Sequence, residues 1–236
     1  MLKMLHTVLD IIFPCFCINC GVRVRGRDYH ICPRCLEELK PAENSCPVCG
    51  GLVNSGDCII CSSRKVYMSG NIPVYEYSGS VKKLLHGLKF RSLRNAYRIF
   101  VPEMAAAVAS MAVKPDLITP VPMSRRKLAK RGYNQSFLIA AALGRELGIP
   151  CVQLLKERPG FRSQRGLGRL ERYINVIDRY KAHDINKFNG RTVLLVDDVF
   201  TTGSTINECS RQLLRCGAYA VYSITVARAD PDKLTI

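Results

Sequence analysis

Residues 193–205 read VLLVDDVFTTGST, and this stretch narrows the possible folds more than any other part of the chain. Val193–Val196 is a short apolar run, partly β-branched, as expected of a strand buried on both faces. Thr201, Thr202, Gly203, Ser204 and Thr205 follow. Ile206, Cys209, Leu213 and Cys216 then recur at helical spacing, with Gly217 placed as a C-cap. The order is strand, loop, helix start. A helix N-terminus presents unpaired N–H groups and a positive dipole end, the hydroxyls add donors, and Gly203 lets a ligand come close to the backbone. Such a loop suits a monophosphate. It is not a Walker loop, because Gly-Lys-Ser/Thr is missing. Asp197 and Asp198 would repel a phosphate, but they can accept hydrogen bonds from vicinal hydroxyls or hold Mg²⁺ through water. A diol beside a phosphate describes a ribose 5-phosphate. The plainer alternative is a helix N-terminus whose dipole favours acidic neighbours.

With these residues in view, the stretch resembles the phosphoribosyl pyrophosphate motif of type I phosphoribosyltransferases. The resemblance implies Asp197 and Asp198 on the ribose hydroxyls and Thr201, Thr202, Gly203, Ser204 and Thr205 around the 5-phosphate, with Mg²⁺ accompanying the ligand. The rest of the C-terminal part alternates in the same way. NIPVYEYSG, DLITPVPMS, CVQLLKE, VIDRYKAH and AYAVYSITVAR read as strands. SVKKLLHGLKF, RNAYRIFVPEMAAAVASMA and SFLIAAALGRELG read as helices, the last capped by Asn134 and closed by Gly148. The expected fold class is α/β, a type I phosphoribosyltransferase-like parallel sheet flanked by helices, with ligands at the carboxyl ends of the strands.

Twelve cysteines set the front end apart, since nine of them fall within the first 61 residues. Eight form four C-x-x-C pairs, and two such knuckles complete a closed tetrahedral site. Short separations make sequence neighbours share a metal. The expected structural zinc sites are therefore Cys17, Cys20, Cys32 and Cys35, then Cys46, Cys49, Cys58 and Cys61, with Cys15 as a substitute for Cys17 and an interleaved pairing left open. The segment resembles a double zinc ribbon. Cys151, Cys209 and Cys216 lie in apolar contexts and read as core residues. MLKMLHTVLDIIF is interrupted by His6 and Asp10 and reads as a short amphipathic helix (Leu5, Leu9, Ile12, Phe13), not an export signal. No apolar run is long enough to span a bilayer. Thiols kept for metal then point to a reducing, cytoplasmic setting. The expected division is an N-terminal helix and double zinc ribbon over 1–65 and a phosphoribosyltransferase-like domain over 66–236.

The chain carries a formal charge of +16, and residues 123–172 alone hold 12 basic against 3 acidic side chains. That concentration implies a polyanion or a strongly anionic ligand. Arg125, Arg126, Lys127, Lys130 and Arg131, expected in and after a Pro-rich loop, are candidates for pyrophosphate or a nucleic-acid backbone. Tyr133, Phe161 and Tyr173 lie among them and are candidates for stacking on unpaired bases. The Gly- and Arg-rich segment 158–170 reads as a lid.

Four blocks in order, namely the cysteine front end, TPVPMSRRKLAKRGYNQS, QRGLGRLERYIN and LLVDDVFTTGST, resemble the ComF (ComFC) family of competence-related phosphoribosyltransferase-like proteins. The family's RGYNQ block falls on Arg131, Gly132, Tyr133, Asn134 and Gln135. Its Q-x-x-L…R-x-x-N pattern falls on Gln164, Leu167, Arg172 and Asn175, which adds Gln164, Arg165 and Arg172 as lid candidates. The resemblance implies handling of imported single-stranded DNA on the cytoplasmic side, with any membrane association made through proteins of the DNA-uptake machinery. Two other readings stand beside it: an active phosphoribosyltransferase with an unknown acceptor, and a zinc-ribbon module that recruits a protein partner.

Overall fold

The computed structural model describes residues 14–24, 30–53, 56–90, 93–159 and 176–229. The expected N-terminal helix, Phe161, Tyr173 and the lid residues Gln164, Arg165 and Arg172 lie outside them.

The front end is held by turns more than by regular elements. Strands β1 (Cys15–Phe16) and β2 (Arg23–Val24) pair antiparallel, and two one-turn helices follow, α1 (Pro33–Glu37) and α2 (Ile59–Ser63). Two of the knuckles close in the same way. The Gly21 amide bonds the Cys17 carbonyl at 2.9 Å and the Gly50 amide bonds the Cys46 carbonyl at 2.7 Å. Gly21 and Gly50 both have φ near +73°, which costs little only for glycine.

The sheet contains β3 (Gly70–Glu76), β4 (Leu117–Pro120), β7 (Thr192–Phe200) and β8 (Ala220–Arg228), all parallel, in the order β3-β8-β7-β4. Around it lie α3 (Gly79–Lys89), α4 (Tyr97–Ala109), α5 (Arg125–Arg131), α6 (Gln135–Leu147) and α7 (Ser204–Arg215). Period-2 alternation in β7 divides the core. Leu194 and Val196 face a cluster with Leu84, Phe100, Met104 and Leu143, whereas Val193 and Leu195 face Ile206, Cys209 and Leu213 of α7. Asn134 caps α6 and Gly148 ends it, as expected.

Three differences from the sequence reading have physical causes. β7 runs to Phe200, so both aspartates stand in the strand and not in the loop. Pairing with β8 continues to Phe200 opposite Arg228 and carries β7 past its apolar run. CVQLLKE and VIDRYKAH do not extend the main sheet as full strands. Cys151 alone bridges to β4, and the remainder forms a separate antiparallel pair, β5 (Leu155–Glu157) with β6 (Tyr180–Ala182). The basic residues expected in a loop form α5, because Ser124 caps it by accepting the Lys127 amide at 3.3 Å.

The front end covers the outer edge of β3. The Ala42 amide bonds the Val74 carbonyl at 3.0 Å and the Glu76 amide bonds the Lys40 carbonyl at 2.9 Å, so an otherwise open edge is paired. Arg228, buried at the end of β8, donates to Ser45 Oγ and to the Glu43 carbonyl, each at 2.6 Å.

Candidate functional site

β4 ends at Pro120 while β7 continues to Phe200. The acidic pair stands in the half of β7 that runs on past β4, at the carboxyl end of the sheet, where parallel sheets bind their ligands. Asp198 is buried, and its Oδ2 stands 2.6 Å from Lys89 Nζ. Asp197 is half-buried, and its Oδ1 accepts from Ser136 Oγ at 2.8 Å and from the Asp198 amide at 2.9 Å. Burial, and then the charge of Asp198, push the Asp197 carboxyl up to about 7. Burial also works against ionised Asp198, but the charge and hydrogen bond of Lys89 outweigh it and hold that carboxyl below the usual range. The two carboxylates thus differ. Lys89 favours the ionised form of Asp198, whereas burial lets Asp197 take up a proton much more readily.

The segment RGYNQS is the bracket that holds this pair. The Asn134 side chain accepts the Ser136 amide at 3.1 Å and donates to the Val121 carbonyl at 2.9 Å, which ties the start of α6 to the end of β4. Ser136 then reaches Asp197, while Gln135 hydrogen-bonds Asp198 and accepts from Arg131 Nη1 at 2.5 Å. Tyr133 is buried, with its hydroxyl donating to the Leu88 carbonyl and the Arg94 guanidinium 5.2 Å from its ring centre. This corrects the expectation that Tyr133 stacks on bases. Its ring instead locks α3, and with it Lys89, against the site.

In the loop, Gly203 has φ +70°, and an added methyl group would stand 2.6 Å from the Phe200 ring, so only glycine fits. Thr202 Oγ1 and Ser204 Oγ lie 2.9 Å apart, and Thr201 and Thr205 are half-buried. Arg64, from the far end of α2, donates to Ser204 Oγ at 3.0 Å and to the Thr202 carbonyl.

Of the five basic candidates, Arg125, Arg126, Lys127 and Lys130 are exposed on α5, whereas Arg131 turns inward to Gln135. Desolvation, and then nearby Arg179, lower the Lys127 ammonium from the usual lysine range. Sequence reading missed Lys89, Ser136 and Arg64. For Lys89 a signal existed. Val81, Leu84, Leu85 and Leu88 mark the inner face of α3, and Lys89 lies four residues after Leu85 on that face. Nothing local distinguishes Ser136 or Arg64, since their partners lie 61 and about 140 residues away.

The cysteines assemble as expected. In Cys17, Cys20, Cys32 and Cys35, and again in Cys46, Cys49, Cys58 and Cys61, the ligand atoms lie within 4.8 Å of one another. Cys20 and Cys32 sulfurs are 3.6 Å apart, Cys46 and Cys61 3.7 Å, and Cys49 and Cys58 3.3 Å. A tetrahedron with zinc–sulfur bonds of about 2.3 Å requires sulfurs about 3.8 Å apart, so both sets could hold zinc as closed structural sites. Burial pushes Cys61 up to about 11 and Cys49 higher, a cost that a bound dication would relieve. Cys15 stands in β1, outside the first set. Cys209 is a core residue, and Cys151 and Cys216 pack against the core.

The Phosphoribosyl transferase domain family matches residues 134–234. Competence protein F of Haemophilus influenzae is 29% identical over 225 residues, covering 90% of this chain and 96% of that protein. Competence protein ComFC of Bacillus subtilis is 28% identical over 216 residues, covering 86% and 85%. DNA utilization protein YhgH of Salmonella typhimurium is 30% identical over 216 residues, covering 88% and 94%. The chain belongs to the ComF (ComFC) family. In this ComF protein the matched domain begins at Asn134 and contains the acidic pair and the loop. Lys89, Arg131 and Arg64 come from outside that match.

Proposed function

We propose that the chain binds phosphoribosyl pyrophosphate, or a closely similar ribose 5-phosphate, and acts with single-stranded DNA in DNA uptake on the cytoplasmic side. The observation that carries the first part is the junction of β7 and α7. Asp197 and Asp198 stand side by side at the end of β7, one held by Ser136 and the other by Lys89, and a hydroxyl-lined glycine turn begins three residues on. Carboxylates accept from a diol, and the turn's amides and hydroxyls donate to a phosphate. Lys89 already meets the charge of Asp198, so Mg²⁺ fits best on the ligand's own pyrophosphate oxygens, where it would neutralise their charge.

The DNA part rests on relatives named for competence and DNA utilization and on the exposed cations of α5, which ends at Arg131 and Gly132 beside the acidic pair. Calorimetric titration with phosphoribosyl pyrophosphate and Mg²⁺ tests the pocket. Removing Asp197 and Asp198 together is expected to weaken binding at least roughly 10- to 100-fold, the cost of forfeiting hydrogen bonds to charged groups. Unchanged affinity would end the case. For DNA, neutralising Arg125, Arg126 and Lys130 should lower the salt dependence of single-strand binding by about 0.7 in log–log slope for each phosphate no longer neutralised. A slope that stays constant would remove α5 from the interface. Pyrophosphate release on adding bases or single strands would instead favour turnover over binding alone.

A further inference from the structure

Helix α2 is built around the second cysteine set. Cys58 is its N-cap, Cys61 lies within it, and Arg64 is its C-cap. From there the chain leaves the front end, and the Arg64 guanidinium reaches the loop after β7. Nη1 donates to Ser204 Oγ at 3.0 Å and Nη2 donates to the Thr202 carbonyl. An independent strap holds the next residues in place. Buried Asn207 accepts the Tyr67 amide at 2.8 Å through Oδ1 and donates to the Lys65 carbonyl at 3.0 Å through Nδ2. The Asn207 amide bonds the Gly203 carbonyl at 2.8 Å. Residues 64–67 are thus tied to both the glycine turn and the first turn of α7. A methyl group on Gly203 would also stand only 3.2 Å from Arg64 Nη2, so the glycine leaves room for a guanidinium at the turn.

A planar guanidinium fixed at a hydroxyl-lined turn is suited to a phosphate group, which it can meet with two parallel hydrogen bonds. We propose that Arg64 is a phosphate-binding residue of the sugar-phosphate site, and that the second cysteine set, when it holds its metal, keeps Arg64 there. The proposal rests on the reading of residues 201–205 as a phosphate cradle. The metal does no chemistry on the ligand. It holds α2 through Cys61, three residues before Arg64, and so couples a structural site to the affinity of a loop far along the chain.

Calorimetry with ribose 5-phosphate on the full chain, with zinc content measured in parallel, tests this. Arg64→Ala should weaken binding roughly 10-fold or more, as removal of a charge-assisted pair predicts, with zinc content unchanged. Arg64→Lys should restore part of the affinity. Chelation of zinc should weaken wild type by a similar factor and add little to Arg64→Ala. If Arg64→Ala binds as well as wild type, or better because the guanidinium had been filling the anion position, the assignment is overturned. If chelation weakens Arg64→Ala as much as wild type, the coupling to the cysteine set is overturned. Failure of wild type itself to bind ribose 5-phosphate would sink the cradle reading, and the role of Arg64 with it.

Discussion

The front end and the sheet domain reach order by different means. The described residues of 14–63 form two-residue strands and five-residue helices, and their best-buried side chains include the cysteines themselves. In the sheet, four parallel strands bury both faces, and β7 alone contributes Val193, Leu194, Leu195 and Val196 with no exposure. The described front-end residues that are buried, Cys17, Ile31, Cys32, Cys35 and Leu39 among them, join the sheet's own core, and metal bound at the cysteine sets would add folding free energy there, whereas the sheet draws its own from removing apolar surface from water. The contrast teaches how the site is divided. The sheet carries the acidic pair and the glycine turn, and Arg64 comes to that turn from the end of α2.

The largest test of that contrast is metal removal. Zinc in small Cys₄ modules contributes on the order of 10 kcal/mol of binding free energy that is also folding free energy. Chelation should therefore leave amides of β7 and β8 protected while those of residues 30–53 exchange freely. Equal protection in both regions after chelation would break the comparison.

A smaller loss is expected within the sheet. Lys89→Ala leaves Asp198 buried without its cation, a defect of roughly 3–5 kcal/mol for a pair as close and as enclosed as this one. Denaturant titration checks it, and Lys89→Met should be no better, because the missing element is charge and not bulk.

Gly203→Ala should cost about 1–3 kcal/mol, from the left-handed backbone and the collision with Phe200. The measurement is thermal unfolding. The loss should appear in the sheet domain and leave the zinc content of the front end untouched, which sharpens the division between the two regions.

The smallest effect concerns pH. Asp197 ionises near 7 in the fold against an ordinary 3.8, so the proton favours the folded state. Stability on this account is greatest below about 3.8 and is lost as pH rises through about 7. Ligand binding should run the other way, because a diol is met by the ionised carboxylate. Affinity for a ribose phosphate should rise about tenfold from roughly pH 6 to pH 8. Asp197→Asn should remove that extra slope, leaving only the titration of the ligand's own phosphate. A variant with the wild-type profile would assign the ionisation to another group.

Much of this protein was legible in its sequence because the signals were local. Cysteine spacing alone paired the thiols correctly, since a C-x-x-C turn and a short connection leave few geometries. The step from apolar run to hydroxyl-rich turn located β7 and α7, and cap residues set the limits of α6. What the sequence could not determine was long-range. Only the tertiary fold ends β4 at Pro120 and lets β7 run on past it to Asp197 and Asp198. Only the fold brings Lys89 from α3 onto Asp198, turns Tyr133 inward, and carries Arg64 about 140 residues along the chain to Thr202 and Ser204. The physical reason is that a side chain's type and local period specify which face of its element it occupies, whereas its charge partner is set by how those elements pack around a shared core.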